Sequence, residues 1–275
     1  MDVAYTGLTS CRRITIATTL ARDTARLTPN TVTIGRLWLY GERVMKTWSI
    51  LRLAMAVLIL AAMVAEFRGA MSTTPAEGSS MATVVVNYFS YFTIESNLLA
   101  AAALVSVSVW TLTRDTQEPT WLAVLMAAAT TFMAITGLVY NLLLRGLVPA
   151  AFPWANEILH LIGPLFLIID LFVAPPRRRL PWRAVGAVIA FPIAWAIYTL
   201  VRGEHVVSPL TGDPWWYPYP FLNNHLHGYA VVIAYVIGIA AAFALVAWGV
   251  VAVGRRRSPE TAFADDEDEA GLRPA

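Results

Sequence analysis

Apolar residues run through this chain in six long blocks separated by short polar segments, with no sustained alternation of period two. A helix needs about 20 mostly apolar residues to cross ~30 Å of hydrocarbon. Windows 47–67, 82–112, 121–144, 154–174, 182–201 and 228–253 meet or nearly meet that length. The pattern predicts an all-α bundle of six transmembrane helices in a multi-pass membrane protein of the cell membrane. A β-barrel, which needs short alternating strands, does not fit. The second window is longer than a bilayer requires, so a tilted or partly interfacial helix is expected there. Arg52 stands one turn inside the first window and can snorkel to the interface.

Basic residues orient the bundle. Arg36, Arg43 and Lys46 precede the first window, Arg177, Arg178, Arg179 and Arg183 lie between the fourth and fifth, and Arg255, Arg256 and Arg257 follow the sixth. The opposite loops carry only Arg68, Arg145 and Arg202. An excess of Arg and Lys marks cytoplasmic loops, so both termini are expected inside the cell. Residues 46–254 then form the membrane domain. Residues 255–275, with the run Asp265 to Glu269, are expected to be a disordered acidic tail. Residues 1–45 are rich in Thr and Arg and lack a signal-peptide core. They are expected to be a disordered or mis-annotated leader, with residues 1–44 a gene-model artefact preceding a true start at Met45.

Composition agrees with this reading. Of 275 residues 57% are hydrophobic and only 14% charged, with a net charge of +2; a soluble domain carries about a quarter charged residues. The single cysteine, Cys11, permits no internal disulfide. No Cys or His spacing suggests a metal: His225 and His227 are two apart, do not share a helix face, and lack a third ligand. No cofactor and no nucleic-acid partner are expected.

Polar side chains inside the windows are the candidate chemistry, because they are expensive at bilayer depth and mark interior contacts or function. In the second window Ser90, Thr93 and Asn97 share one face of a continuous helix. Glu95 lies about 200° round from Thr93. Thr93 has an ordinary alternative role, bonding the carbonyl four residues back. In the fourth window Asn156, His160 and Pro164 form one stripe, and Pro164 should kink the helix beside the imidazole. Asp170 is roughly 15 Å further along, so Glu157 is the better orienting acid for His160. His160 could equally be a neutral hydrogen bonder between helices. Tyr140, Asn141, Tyr198 and Arg202 end their helices on the same side. The stretch Asp213 to Phe221, rich in proline and aromatics, suits an interfacial anchor compatible with a lid.

Three of these motifs together resemble a known family. The run Asn87-Tyr88-Phe89-Ser90-Tyr91-Phe92-Thr93-Ile94-Glu95-Ser96-Asn97-Leu98-Leu99, the stretch Glu157 to Asp170, and Arg202-Gly203 followed by Trp216-Tyr217-Pro218-Tyr219-Pro220-Phe221-Leu222 are similar to the bacterial "Pr-six-Pr" six-pass membrane proteins. A more distant resemblance is to the androgen-induced six-pass membrane proteins of animals, threonine hydrolases that cleave fatty acid esters of hydroxy fatty acids. That resemblance implies Thr93 as nucleophile and His160 as base, with a fatty-acyl ester drawn from membrane lipid as substrate. Ser90, Asn97, Asn141, Asn156, Glu157 and Tyr198 would line or orient the pocket. A proton-coupled or small-solute transporter using Glu95, His160 and Asp170, and a non-catalytic lipid-binding protein, are the competing expectations.

Overall fold

A computed structural model describes residues 29–114, 116–147 and 151–258. The expected acidic run 265–269 and residues 1–28 lie outside them. Among the described residues every regular element is helical. The helices are α1 (Pro29–Met71), α2 (Met81–Ser90), α3 (Phe92–Thr113), α4 (Thr120–Leu144), α5 (Pro153–Val173), α6 (Arg183–Gly203), α7 (Asn224–His227) and α8 (Tyr229–Arg257). The chain divides into two compact units, residues 1–46 and 47–275. In the first, the described stretch is helical and carries an i,i+4 ion pair between Lys46 and Glu42 at 2.6 Å. The second is the helix bundle.

Six helices are long and apolar enough to cross a membrane: Glu42–Met71, Phe92–Thr113, Thr120–Leu144, Pro153–Val173, Arg183–Gly203 and Tyr229–Arg257. The exterior fits the same reading, since Ile193, Ile197, Ile233, Ile237, Leu245 and Trp248 all present their side chains outward. Hydrocarbon, unlike water, makes such exposure favourable. Inside, Ile59, Ala62, Leu104, Met126, Met133 and Leu167 join α1, α3, α4 and α5 in one apolar cluster. Phe92, Phe132, Val188, Phe221, Phe243 and Val251 join α3, α4, α6, α8 and the loop before α7 in a second. The central helix α4 contributes to both.

The second predicted window is not one helix. Tyr91 adopts an extended backbone (φ −71°, ψ 127°), ending α2 at Ser90 and starting α3 at Phe92. The break exposes a carbonyl on one side and an amide on the other, and side chains from elsewhere satisfy both. Trp195 Nε1 of α6 donates to the Ser90 carbonyl at 3.1 Å. Tyr219 of the loop accepts from the Thr93 amide at 3.2 Å. The first amides of any helix lack intrahelical partners, so the tyrosine acts as a cap. With α2 outside it, α3 alone provides the span.

Arg52 does not snorkel. Its Nε donates to Asp170 Oδ1 at 2.7 Å, with the two side chains only 5% and 1% exposed. Trp48 Nε1 and Arg177 donate to the same carboxylate. A counter-charge on the neighbouring α5 offers Arg52 a nearer partner than the headgroup layer does. The carboxylate thereby ties α1, α5 and the loop after α5 together.

Removing one partner of a buried ion pair leaves uncompensated charge, at about 3–5 kcal/mol. Asp170→Ala is therefore expected to lower unfolding stability in detergent by that order, and adding Arg52→Met to recover part of it. A single variant as stable as the parent in a thermal unfolding assay would contradict the role given to this cluster.

Candidate functional site

Proline chemistry shapes the first half of the site. Pro164 has no N–H to give the carbonyls of Leu159 or His160, and the helix widens into a π turn over Ile158–Ile162 just before it. Two amides from other helices fill the gap. Asn97 Nδ2 donates to the Leu159 carbonyl at 3.2 Å and to its own Thr93 carbonyl at 2.8 Å. Asn141 Nδ2 donates to the His160 carbonyl at 3.0 Å and to the Gly137 carbonyl at 2.7 Å. Such replacement of lost backbone bonds is what lets proline stay inside a membrane helix. Gly137 permits the close approach: a Cβ there would lie 2.9 Å from Pro164 Cβ. A second π turn, Tyr140–Leu144, ends α4 directly opposite in this network; such turns are frequent at functional sites.

His160 sits in the same network. Its Nδ1 lies 3.0 Å from the Asn156 carbonyl. A carbonyl only accepts, so Nδ1 carries the proton and the neutral ring keeps its lone pair on Nε2. The imidazole stacks on Tyr140 with ring centroids 3.8 Å apart and planes at 22°. Asn156 Nδ2 donates to the Tyr140 hydroxyl at 2.7 Å, fixing that ring. Glu157 does not orient the histidine. Its carboxylate takes Arg145 as a bidentate pair at 2.7 and 3.0 Å. The planar guanidinium fork matches both oxygens, and the Asn156 carbonyl already holds Nδ1.

Thr93 belongs to another group. As the second residue of α3 it has its Oγ1 3.3 Å from the Tyr219 hydroxyl, the same atom that caps its amide. It makes no bond to the carbonyl four residues back. Because Tyr219 accepts the amide proton, its own hydroxyl proton is free for Thr93 Oγ1 or a ligand. Burial pushes the Tyr219 phenol up to about 12, so that proton is retained at neutral pH. Next to it Ser96 Oγ lies 2.9 Å from Thr136 Oγ1. Ser90 donates to the Val86 carbonyl at 2.8 Å and lies 3.0 Å from the Tyr198 hydroxyl.

Thr93, Thr136 and Tyr219 line a cavity of about 380 Å³ between α3, α4, α6, α8 and the loop. One face of α6 (Ile189, Pro192, Ile193, Ala196, Ile197, Leu200) and one of α8 (Val236, Ile239, Ala240, Phe243) supply apolar walls. Thr93, Thr136, Tyr140 and Tyr219 supply its hydroxyls. Ile193 and Ile197 are more than half exposed, so the cavity reaches the outer surface of the bundle there. Of the residues singled out in the sequence, Thr93 lines the cavity. Ser90, Asn97, Asn141, Asn156, Glu157, His160 and Tyr198 do not. Thr93 and His160 share no hydrogen bond; Tyr140 lines the cavity, and its ring stacks on the imidazole. Sequence reasoning left out Thr136 and the capping role of Tyr219. The only signal for the latter was its place in a proline-rich aromatic segment.

That segment is held down at its ends. Trp216 donates its amide to the Gly203 carbonyl at 2.8 Å. Gly203 is required here, since a Cβ would come within 2.3 Å of the Tyr217 ring. Tyr217 Oη and His225 Nε2 donate to the two oxygens of Glu204 at 2.8 and 3.0 Å. Arg202 donates to Asn87 Oδ1 at 2.7 Å and lies over the Trp216 ring. The loop therefore packs Tyr219, Phe221 and Leu222 against the cavity.

Two outcomes are expected. Asn97→Leu leaves the Leu159 carbonyl unpaired and should destabilise the bundle by about 1–3 kcal/mol, measured by unfolding; an unchanged midpoint would contradict the capping role. The hydrogen bonds from Tyr217 and His225 hold the Glu204 carboxyl below the usual carboxylate range. A depressed acid stabilises the fold above its unfolded-state pKa and stops doing so as pH falls through the folded value. A spin label on the exposed Leu210 position of a Cys11→Ser, Leu210→Cys protein should gain mobility only as pH falls below that range. With Glu204→Gln the acid transition should vanish.

No protein-family model, no curated protein and no solved structure matches this chain.

Proposed function

We propose that this multi-pass membrane protein binds a membrane lipid, seating an acyl chain in the cavity between α4, α6 and α8 and a neutral polar group against Thr93 and Tyr219. The observation that carries this is the cavity itself. Its volume of about 380 Å³ falls in the range of small-molecule sites, which pair apolar walls with a few placed polar groups. Its lining contains hydroxyls and no ionised side chain. An anion buried there would have no counter-charge and pay a large desolvation penalty, whereas an ester or hydroxyl can pair with Tyr219 and Thr93. The exposed Ile193 and Ile197 mark the side from which a chain could enter laterally.

A second reading, ester hydrolysis, draws on the resemblance to six-pass threonine hydrolases and on one geometric observation. The Thr93 hydroxyl and the Tyr140 ring line one cavity, and His160 with its Nε2 lone pair stacks directly on that ring. In this reading Tyr140 swings aside, Thr93 Oγ1 attacks the ester carbonyl, and its proton passes to His160 Nε2. The Tyr219 hydroxyl donates to the developing oxyanion. The alkoxide leaves with the proton from His160, and water then releases the acid from Thr93.

Crosslinking with a fatty-acyl ester bearing a mid-chain diazirine separates the outcomes. Labels are expected on Ile193, Ile197, Val236 or Phe243, and Ala240→Trp should reduce them at least several-fold without lowering the unfolding midpoint. Labels scattered over the outer surface, unchanged by Ala240→Trp, would reject the cavity. A fluorophosphonate adduct on Thr93, lost in Thr93→Ala, selects hydrolysis; unlabelled Thr93 with mapped diazirine adducts leaves binding alone.

A further inference from the structure

At the opposite, arginine-rich end of the bundle a second, smaller hollow of about 50 Å³ lies between α4, the end of α5, the loop after it and α8. It has room for one small polar group. Its charged lining is three guanidinium groups, Arg177, Arg178 and Arg257, against one carboxylate, Asp170. That carboxylate is shared with Arg52, which is itself buried. Glu118 stands near as a second carboxylate, so four guanidinium groups face two acids, and the remaining partners are neutral. Arg257 donates to the neutral carbonyls of Leu171 and Ala174. Arg178 is held by Glu118, through its amide to the carboxylate at 2.9 Å and its Nε to the main-chain carbonyl at 3.0 Å. All three are partly shielded from solvent, so positive charge is concentrated where water screens it poorly. Burial pulls the Arg177 guanidinium down to about 10, against the opposing pull of the Asp170 and Glu118 carboxylates.

Positive charge is left in excess here, and a further anion would balance it. Guanidinium groups recognise phosphate oxygens through two parallel N–H donors. The rest of the wall is apolar, with Ala123, Ala127, Val250 and Val251 leading from the arginines along α4 and α8. A phosphate group attached to hydrocarbon satisfies both halves, and basic pockets between membrane helices bind anionic headgroups in this way. We propose that this hollow binds the phosphate of an anionic phospholipid, with the start of an acyl chain against the α4–α8 groove. The site is separate from the acyl cavity and does not depend on what that cavity binds.

The full-length protein in phosphatidylcholine nanodiscs, with and without phosphatidylglycerol, tests this by unfolding midpoint and by lipid retained in native mass spectrometry. Phosphatidylglycerol should raise the midpoint of the parent and of Arg256→Gln, whose exposed side chain does not line the hollow. Arg177→Gln and Arg178→Gln should each bind it about fivefold more weakly. Should Arg177→Gln fail to fold, Arg178→Gln carries the test, because its guanidinium bonds only a loop carbonyl. Equal stabilisation of parent and Arg178→Gln would overturn the proposal. So would an equal gain from inorganic phosphate without the lipid, which would assign the hollow to a free anion.

Discussion

One tyrosine hydroxyl holds the site in shape. By breaking the helix at Tyr91, the chain strands the first amides of α3 inside an apolar bundle, where an unpaired polar group is costly. The Tyr219 hydroxyl meets the Thr93 amide and Oγ1, while the Trp195 indole meets the carbonyl on the other side of the break. Thr93 is thus presented at a helix start, its side chain directed to the cavity rather than back along its own helix. The loop that supplies Tyr219 also closes that cavity, so capping and lining are one structural event.

A second constraint works in the same manner from the other side. Pro164 withdraws a donor, and Asn97 and Asn141 bring amides to the carbonyls left behind. Those bonds stitch α3, α4 and α5 together at one level and hold the π turns beside His160. They also account for two of the asparagines: Asn97 and Asn141, expected to line or orient the pocket, are engaged with main-chain carbonyls. His160 is left with a defined tautomer and a Tyr140 ring on its face.

The two ends of the bundle are chemically unlike. Around Thr93 the groups are hydroxyls and amides, which suit a neutral ligand. Around Asp170 they are arginines in excess over acids, which suit an anionic one. Both arrangements place polar groups at the rim or floor of apolar grooves between helices, as expected where the surrounding medium is hydrocarbon and each buried polar atom must find its partner within the protein.

Hydropathy alone was enough to locate six spans, because length and apolar content answer directly to bilayer thickness. The kink at Pro164 was legible for a similarly local reason: proline lacks a donor wherever it stands. Candidate polar residues could be named because their presence at depth is itself unusual. What each of them touches was not legible. A continuous window from 82 to 112 shows no break, since the partners that stabilise one, Trp195 and Tyr219, lie more than 100 residues away. Likewise Glu157 looked close to His160 by helix spacing, and Arg52 looked free to reach the interface. Arg145 and Asp170 decided otherwise, because charge seeks the nearest opposite charge in space and spacing along one helix carries no information about its neighbours.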